Sequence, residues 1–119
     1  MKRALFIGRW QTPHLHGGHI WCFDQKLKVG IPIGLAIRDV EIDEKNPYTA
    51  EQVKVMIEKH YAKEIESGMV KVFILPFDIE SVVVGRGVGY AVEELIPPQE
   101  IAEISATKIR EEMKKKGEL

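Results

Sequence analysis

Four short apolar runs punctuate the chain, at 3–7, 31–37 ("IPIGLAI"), 70–75 ("VKVFIL") and 81–84 ("SVVV"). Each has the length of a buried strand, and near-continuous apolar runs of this kind predict a parallel sheet covered on both faces. The segments between them change period. Residues 18–28 place Ile20, Phe23 and Leu27 at spacings of three and four, which predicts a helix. A second helix is predicted over 50–66, where "TAEQ" after Pro47-Tyr48 fits a capping box and Val53, Ile57 and Tyr61 form an i, i+4, i+8 stripe. A third, about 106–116, sets Ala106, Ile109 and Met113 on one side. Strand alternating with helix predicts an α/β fold, a doubly wound parallel sheet in one domain spanning 1–119. In such sheets ligands bind beyond the carboxyl ends of the strands.

Composition narrows the partners more than the fold. The chain has 119 residues, enough to bury a core without staples, and a net charge of −1, which gives nucleic acid or a membrane surface no general attraction. Its basic cluster, Lys114 to Lys116, reads as a solvated helix end. The single Cys22 excludes an internal disulfide and a CxxC metal clip. No apolar run approaches the roughly 20 residues that span a bilayer, and "MKRALFIGRW" lacks the apolar stretch of a signal peptide. A cytoplasmic location is the expectation.

Charge type is distributed unevenly. Lysines mostly decorate predicted helices, whereas Arg9, Arg38 and Arg86 each follow a predicted strand and Arg110 lies early in the last helix. Arginine's planar fork suits bidentate contact with phosphate, so four arginines at the ligand-binding edge point to an anion with several phosphates. The first turn adds a second signal: "GRWQTPHLHGGHI" holds His14, His16 and His19 within six residues. A metal reading rests on "HLH" but needs further ligands, and only His60 remains elsewhere. A phosphate reading uses more of what is present. Gly17 and Gly18 allow close backbone approach, and the helix start offers free N–H groups and a positive dipole end.

Four segments carry a resemblance to a known family. "HGGH" fits the HxGH signature of the nucleotidylyltransferase superfamily, and "ISATKIR", 104–110, resembles its second signature, ISSTxIR. "GRWQ" and "NPYTAEQ", 46–52, are similar to segments of the nicotinamide-mononucleotide adenylyltransferase branch, which has a Rossmann-like fold. The resemblance covers nearly the whole chain.

It implies attack by an acceptor's phosphate oxygen on the α-phosphorus of a nucleoside triphosphate, releasing pyrophosphate. The second pKa of a phosphate monoester is near 6, so roughly speaking the nucleophile is already a dianion at neutral pH and no dedicated base is needed. Positioning and fixed positive charge do the work. By resemblance, the catalytic residues are His16, His19 and Arg110. Nucleotide contacts fall to Gly8, Arg9, Trp10, His14, Gly18, Gly85, Arg86, Ser105, Thr107 and Lys108, with "GRGVGY" (85–90) closing over the nucleotide. Arg38 and Asp39 are assigned to the acceptor, a small phosphorylated metabolite such as nicotinamide mononucleotide. ATP is the expected donor, with CTP, or a nucleotide-binding module without turnover, as alternatives. Mg²⁺ is expected to be held mainly by the triphosphate, with no protein ligand assigned to it, and the chain is expected to form a homo-oligomer.

Overall fold

The computed structural model describes residues 2–15, 17–102 and 114. Along the chain run β1 (Ala4–Gly8), α1 (Gly17–Leu27), β2 (Ile33–Ile37), α2 (Ala50–His60), α3 (Ala62–Glu66), β3 (Val70–Ile74) and α4 (Gln99–Ala102). The three strands form one parallel sheet in the order β1-β2-β3. The fold is therefore α/β with a parallel sheet. The helix predicted at 106–116 lies outside the described residues. Among the described residues no helix is long and apolar enough to cross a membrane.

Each element boundary has a local cause. β2 begins at Ile33, two residues later than the apolar run suggests, because Pro32 has no N–H to give a ladder and serves only as an acceptor for Ala4. α1 closes through bonds from Gly30 N to Leu27 O and from Ile31 N to Lys26 O. Gly30 sits at φ 79°, the left-handed conformation such a helix end requires. α2 opens on the expected capping box: Gln52 N–H donates to Thr49 Oγ1 and Thr49 N–H to Gln52 Oε1. The single helix expected over 50–66 is divided at Tyr61 (φ −106°, ψ 28°), although Ile65 N–H still donates to Tyr61 O. The division falls where the Tyr61 ring turns into the core against Phe23.

The register places Ala4, Ile33 and Val70 side by side, then Phe6, Leu35 and Val72, then Gly8, Ile37 and Ile74. These face the helices. Phe23 of α1 stands edge-on to Phe6 (5.2 Å), Trp10 (5.5 Å) and Tyr61 (6.2 Å), and Val53 and Ile57 of α2 complete the same cluster. The opposite face carries Leu5, Ile7 and Phe73 with Gly34 and Ala36 between them. Here the expectation of a sheet covered on both faces fails for the outer strands: Leu5 is 61% exposed, and Ile7 and Phe73 are also exposed. Only β2 is buried along its whole length, because its small residues on that face lie beneath Arg3, Leu5 and Phe73. Arg3 also pins the strands' amino ends, donating from Nη1 to Ile33 O and from Nη2 to Gly68 O.

The strand expected at 81–84 does not form. Val82, Val83 and Val84 are exposed, and their segment has no ladder pairing. Valine's strand preference reflects packing on a pleated, half-buried surface, and no such surface receives this run.

Ile57 is fully buried at the centre of the cluster, whereas Val55 on the same helix is exposed. Ile57→Ala should therefore cost about 2–5 kcal/mol in urea unfolding, and Val55→Ala about 0.5 kcal/mol or less.

Candidate functional site

The carboxyl end of β1 leads into a loop that turns back on itself. Trp10 lies at φ 44°, a left-handed conformation that is uncommon outside glycine. Its indole folds over Gly8, where an added Cβ would stand 2.7 Å from Cε2 and 2.8 Å from Cζ2. Glycine at 8 is thus a condition of the tryptophan's position. The loop then tightens through Thr12, whose N–H donates to Trp10 O and whose hydroxyl donates to His14 O.

A second loop holds the first in place. Gln11 is buried and acts as a backbone mimic: its Nε2 donates to Tyr48 O (3.0 Å) while Tyr48 N–H donates to its Oε1 (2.8 Å). Two residues earlier, Arg9 Nη1 donates to Asn46 Oδ1 (3.1 Å), and Asn46 is itself buried. Asn46 is fixed by Asp43, whose Oδ1 accepts from the N–H groups of Lys45 and Asn46 and from the Asn46 amide. The Asn46 N–H above all, with Lys45 N–H, the Asn46 amide and the Arg9 charge behind it, holds the Asp43 carboxyl below its ordinary range. Gln11 and Asn46 were not among the residues singled out by chemistry. Their signal lay in "GRWQ" and "NPYTAEQ", as uncharged polar residues of the two segments that the structure joins.

Arg9 and Arg38 do reach the same sheet edge, where Arg38 N–H donates to Gly8 O. The Arg38 guanidinium is paired through Nε with Asp78 (3.1 Å), and Asp39 beside it is exposed. The Asp78 carboxyl lies below its ordinary range, through the Ile79 N–H first and Arg38 second. Arg86 does not follow a strand as expected, since 81–84 forms none. It sits exposed in the turn of 85–90, with Gly85 exposed before it. His16, Ser105, Thr107, Lys108 and Arg110 lie outside the described residues.

The remaining histidines of the loop part company. His19, half-buried in the first turn of α1 after the buried Gly18, lines a cavity of about 950 Å³ together with Trp10. The cavity wraps the outer edge of β1, from Leu5 and Ile7 across to Val82 and Val84 of the segment that follows β3. That segment is tied to α1 by the Lys26–Glu93 ion pair (2.7 Å). His14 opens instead on a separate groove against α2. Two further groups in the core and cavity are chemically quiet. Burial pushes the Cys22 thiol up, which disfavours its thiolate, and burial with the Asp24 and Glu64 charges raises the Tyr61 phenol.

Among the described residues no three His, Cys, Asp or Glu side chains stand together to hold a metal ion. What the site does offer is a largely apolar cavity with an aromatic ring, Trp10, and an imidazole, His19, at a helix start. Such a cavity suits a flat organic group joined to an anion. Compared with protein-family models, curated proteins and solved structures, the chain matches none.

Two variants test this local construction. Gly8→Ala forces the Trp10 ring out and should destabilise the fold by about 1–3 kcal/mol, as overpacking does, with a shift in tryptophan fluorescence. Asp43 contributes stability that is present above its unfolded pKa and lost as pH falls through the lower folded one. Asp43→Asn should therefore melt earlier at neutral pH and lose less on acidification to pH 2 than the parent, followed by circular dichroism.

Proposed function

We propose that the chain is a nucleotidylyltransferase on a Rossmann-like, doubly wound scaffold, transferring AMP from ATP to a small phosphorylated acceptor such as nicotinamide mononucleotide. One observation carries the reading: the two segments similar to the adenylyltransferase branch, "GRWQ" and "NPYTAEQ", are bonded to each other. Gln11 meets Tyr48 and Arg9 meets Asn46. Segments 37 residues apart in sequence thus build one wall at the carboxyl end of β1. Ligands of open α/β sheets collect at that end.

In this proposal an oxygen of the acceptor's phosphate attacks the α-phosphorus, the bond from that phosphorus to the bridging oxygen breaks, and pyrophosphate leaves with the electron pair. His19 and the start of α1 stabilise negative charge on the transferring group, joined by His16 and Arg110. Arg9 and Arg38 set a positive border at the strand ends, where Arg38 with Asp39 meets the acceptor. Trp10 gives the cavity a flat apolar wall for the nucleotide, and Arg86 approaches from the segment across the cavity. Mg²⁺ travels with the triphosphate, where it would neutralise phosphate charge. The apolar residues exposed on β1 and β3 favour self-association, so a homo-oligomer belongs to the same proposal.

The test is pyrophosphate release by the full chain with each of the four ribonucleoside triphosphates and a panel of phosphorylated acceptors. Release with ATP is expected, and His19→Ala should lower turnover by about 10²–10³ with modest loss of nucleotide affinity. Preference for CTP would move the assignment to cytidylyl transfer. Nucleotide binding with no pyrophosphate from any pair would leave a binding module and remove the enzyme reading.

A further inference from the structure

The Thr12–Leu15 loop has two sides, and the proposed reaction uses only the one leading to α1. On the other side the loop and α2 border an open groove of about 630 Å³. Its apolar part is formed by Pro13 and the buried Leu15 from the loop, and by Met56 and the exposed Val55 from the helix. Its hydrogen-bonding part holds one cation and two imidazoles: His14 comes from the loop, Lys59 and His60 from the last turn of α2. Among the described residues no carboxylate lines it. Of the two acids of α2, Glu58 pairs with Lys54 (3.6 Å), and Glu51 lies in the first turn at the far end of the helix from Lys59 and His60. Gln52 also lines the groove, and its Oε1 is already used by Thr49 N–H in the capping box.

Basic residues in a last helical turn have a structural use, since they complement the carboxyl end of the helix dipole. That accounts for Lys59 and His60 but not for His14, which reaches the same groove from a segment more than 40 residues away in sequence. A lysine and imidazole N–H donors from two elements, beside a flexible methionine and an exposed valine, form a site for a ligand that is anionic at one end and apolar at the other.

We propose that this groove binds a phosphate monoester carried on an apolar body, with His14, Lys59 and His60 contacting the phosphate and Val55 and Met56 the body. The site is separate from the His19 cavity and stands whether or not that cavity supports nucleotidyl transfer.

Titration of the isotope-labelled full chain with 1-naphthyl phosphate, followed by backbone NMR, tests it. Saturable shifts confined to 12–15 and 48–60 are expected. Lys59→Gln and His60→Gln should each weaken binding by about three- to tenfold, as losing one partly exposed charge-assisted contact does. Both side chains are exposed, so these variants should stay folded, with no more than the small drop in melting temperature that loss of a helix-end charge brings. Val55→Asp, which puts a carboxylate into the groove, should abolish binding. Inorganic phosphate and 1-naphthalenemethanol should each bind far more weakly than the combined probe. Shifts centred on Trp10, His19 and Lys26, or unchanged affinity in Lys59→Gln and His60→Gln, would overturn the assignment. Equal affinity for inorganic phosphate would overturn the apolar half of it.

Discussion

Parallel strands laid down in the order β1-β2-β3, with a helix after each of the first two, bring both connections onto one side of the sheet. Right-handed crossovers taken in the same direction have that consequence. Everything else follows from this one-sided cover. Phe6, Leu35 and Val72 meet Phe23, Val53 and Ile57, and the strands' carboxyl ends stand in a row beside the starts of α1 and α2. The two loops that leave this row, after β1 and before α2, are neighbours because their strands are neighbours. Gln11 and Arg9 then convert proximity into a fixed spacing.

The same constraint explains what the apolar pattern could and could not reveal. Helix positions were legible because Val53, Ile57 and Tyr61, or Ile20, Phe23 and Leu27, repeat at the period of the helix and lie on its inward side. Strand existence was legible for the three runs that pair. Cover was not: Leu5, Ile7 and Phe73 are as apolar as Phe6 and Leu35, and nothing in the residue types distinguishes a dressed face from a bare one. The run at 81–84 misled for a related reason, since valines signal an affinity for pleated surfaces without specifying that one is within reach. The break at Tyr61 was hidden too, because no proline or glycine marks it.

At the candidate site, legibility followed chemistry rather than geometry. Charged and imidazole side chains were visible as residue types, and Arg9 and Arg38 do lie at one edge. Residue spacing could not separate His14 from His19, which a turn of a few residues sends to different cavities. Nor could it reveal that uncharged Gln11 would organise the wall, since a buried amide serving another strand of chain looks like any surface glutamine until its partner is known.

The staple made by Arg3 bears on the order in which the chain can become a structure as it leaves the ribosome. Its two acceptors, Ile33 O and Gly68 O, lie 30 and 65 residues downstream. A parallel strand has no hairpin partner, so β1 emerges first and has nothing to pair with until β2 follows, and its arginine waits for the turn before β3. β1 is thus made before either of the carbonyls that anchor its arginine. Until β2 is made, the apolar side chains of β1 are without their sheet, an interval that spans the whole of α1.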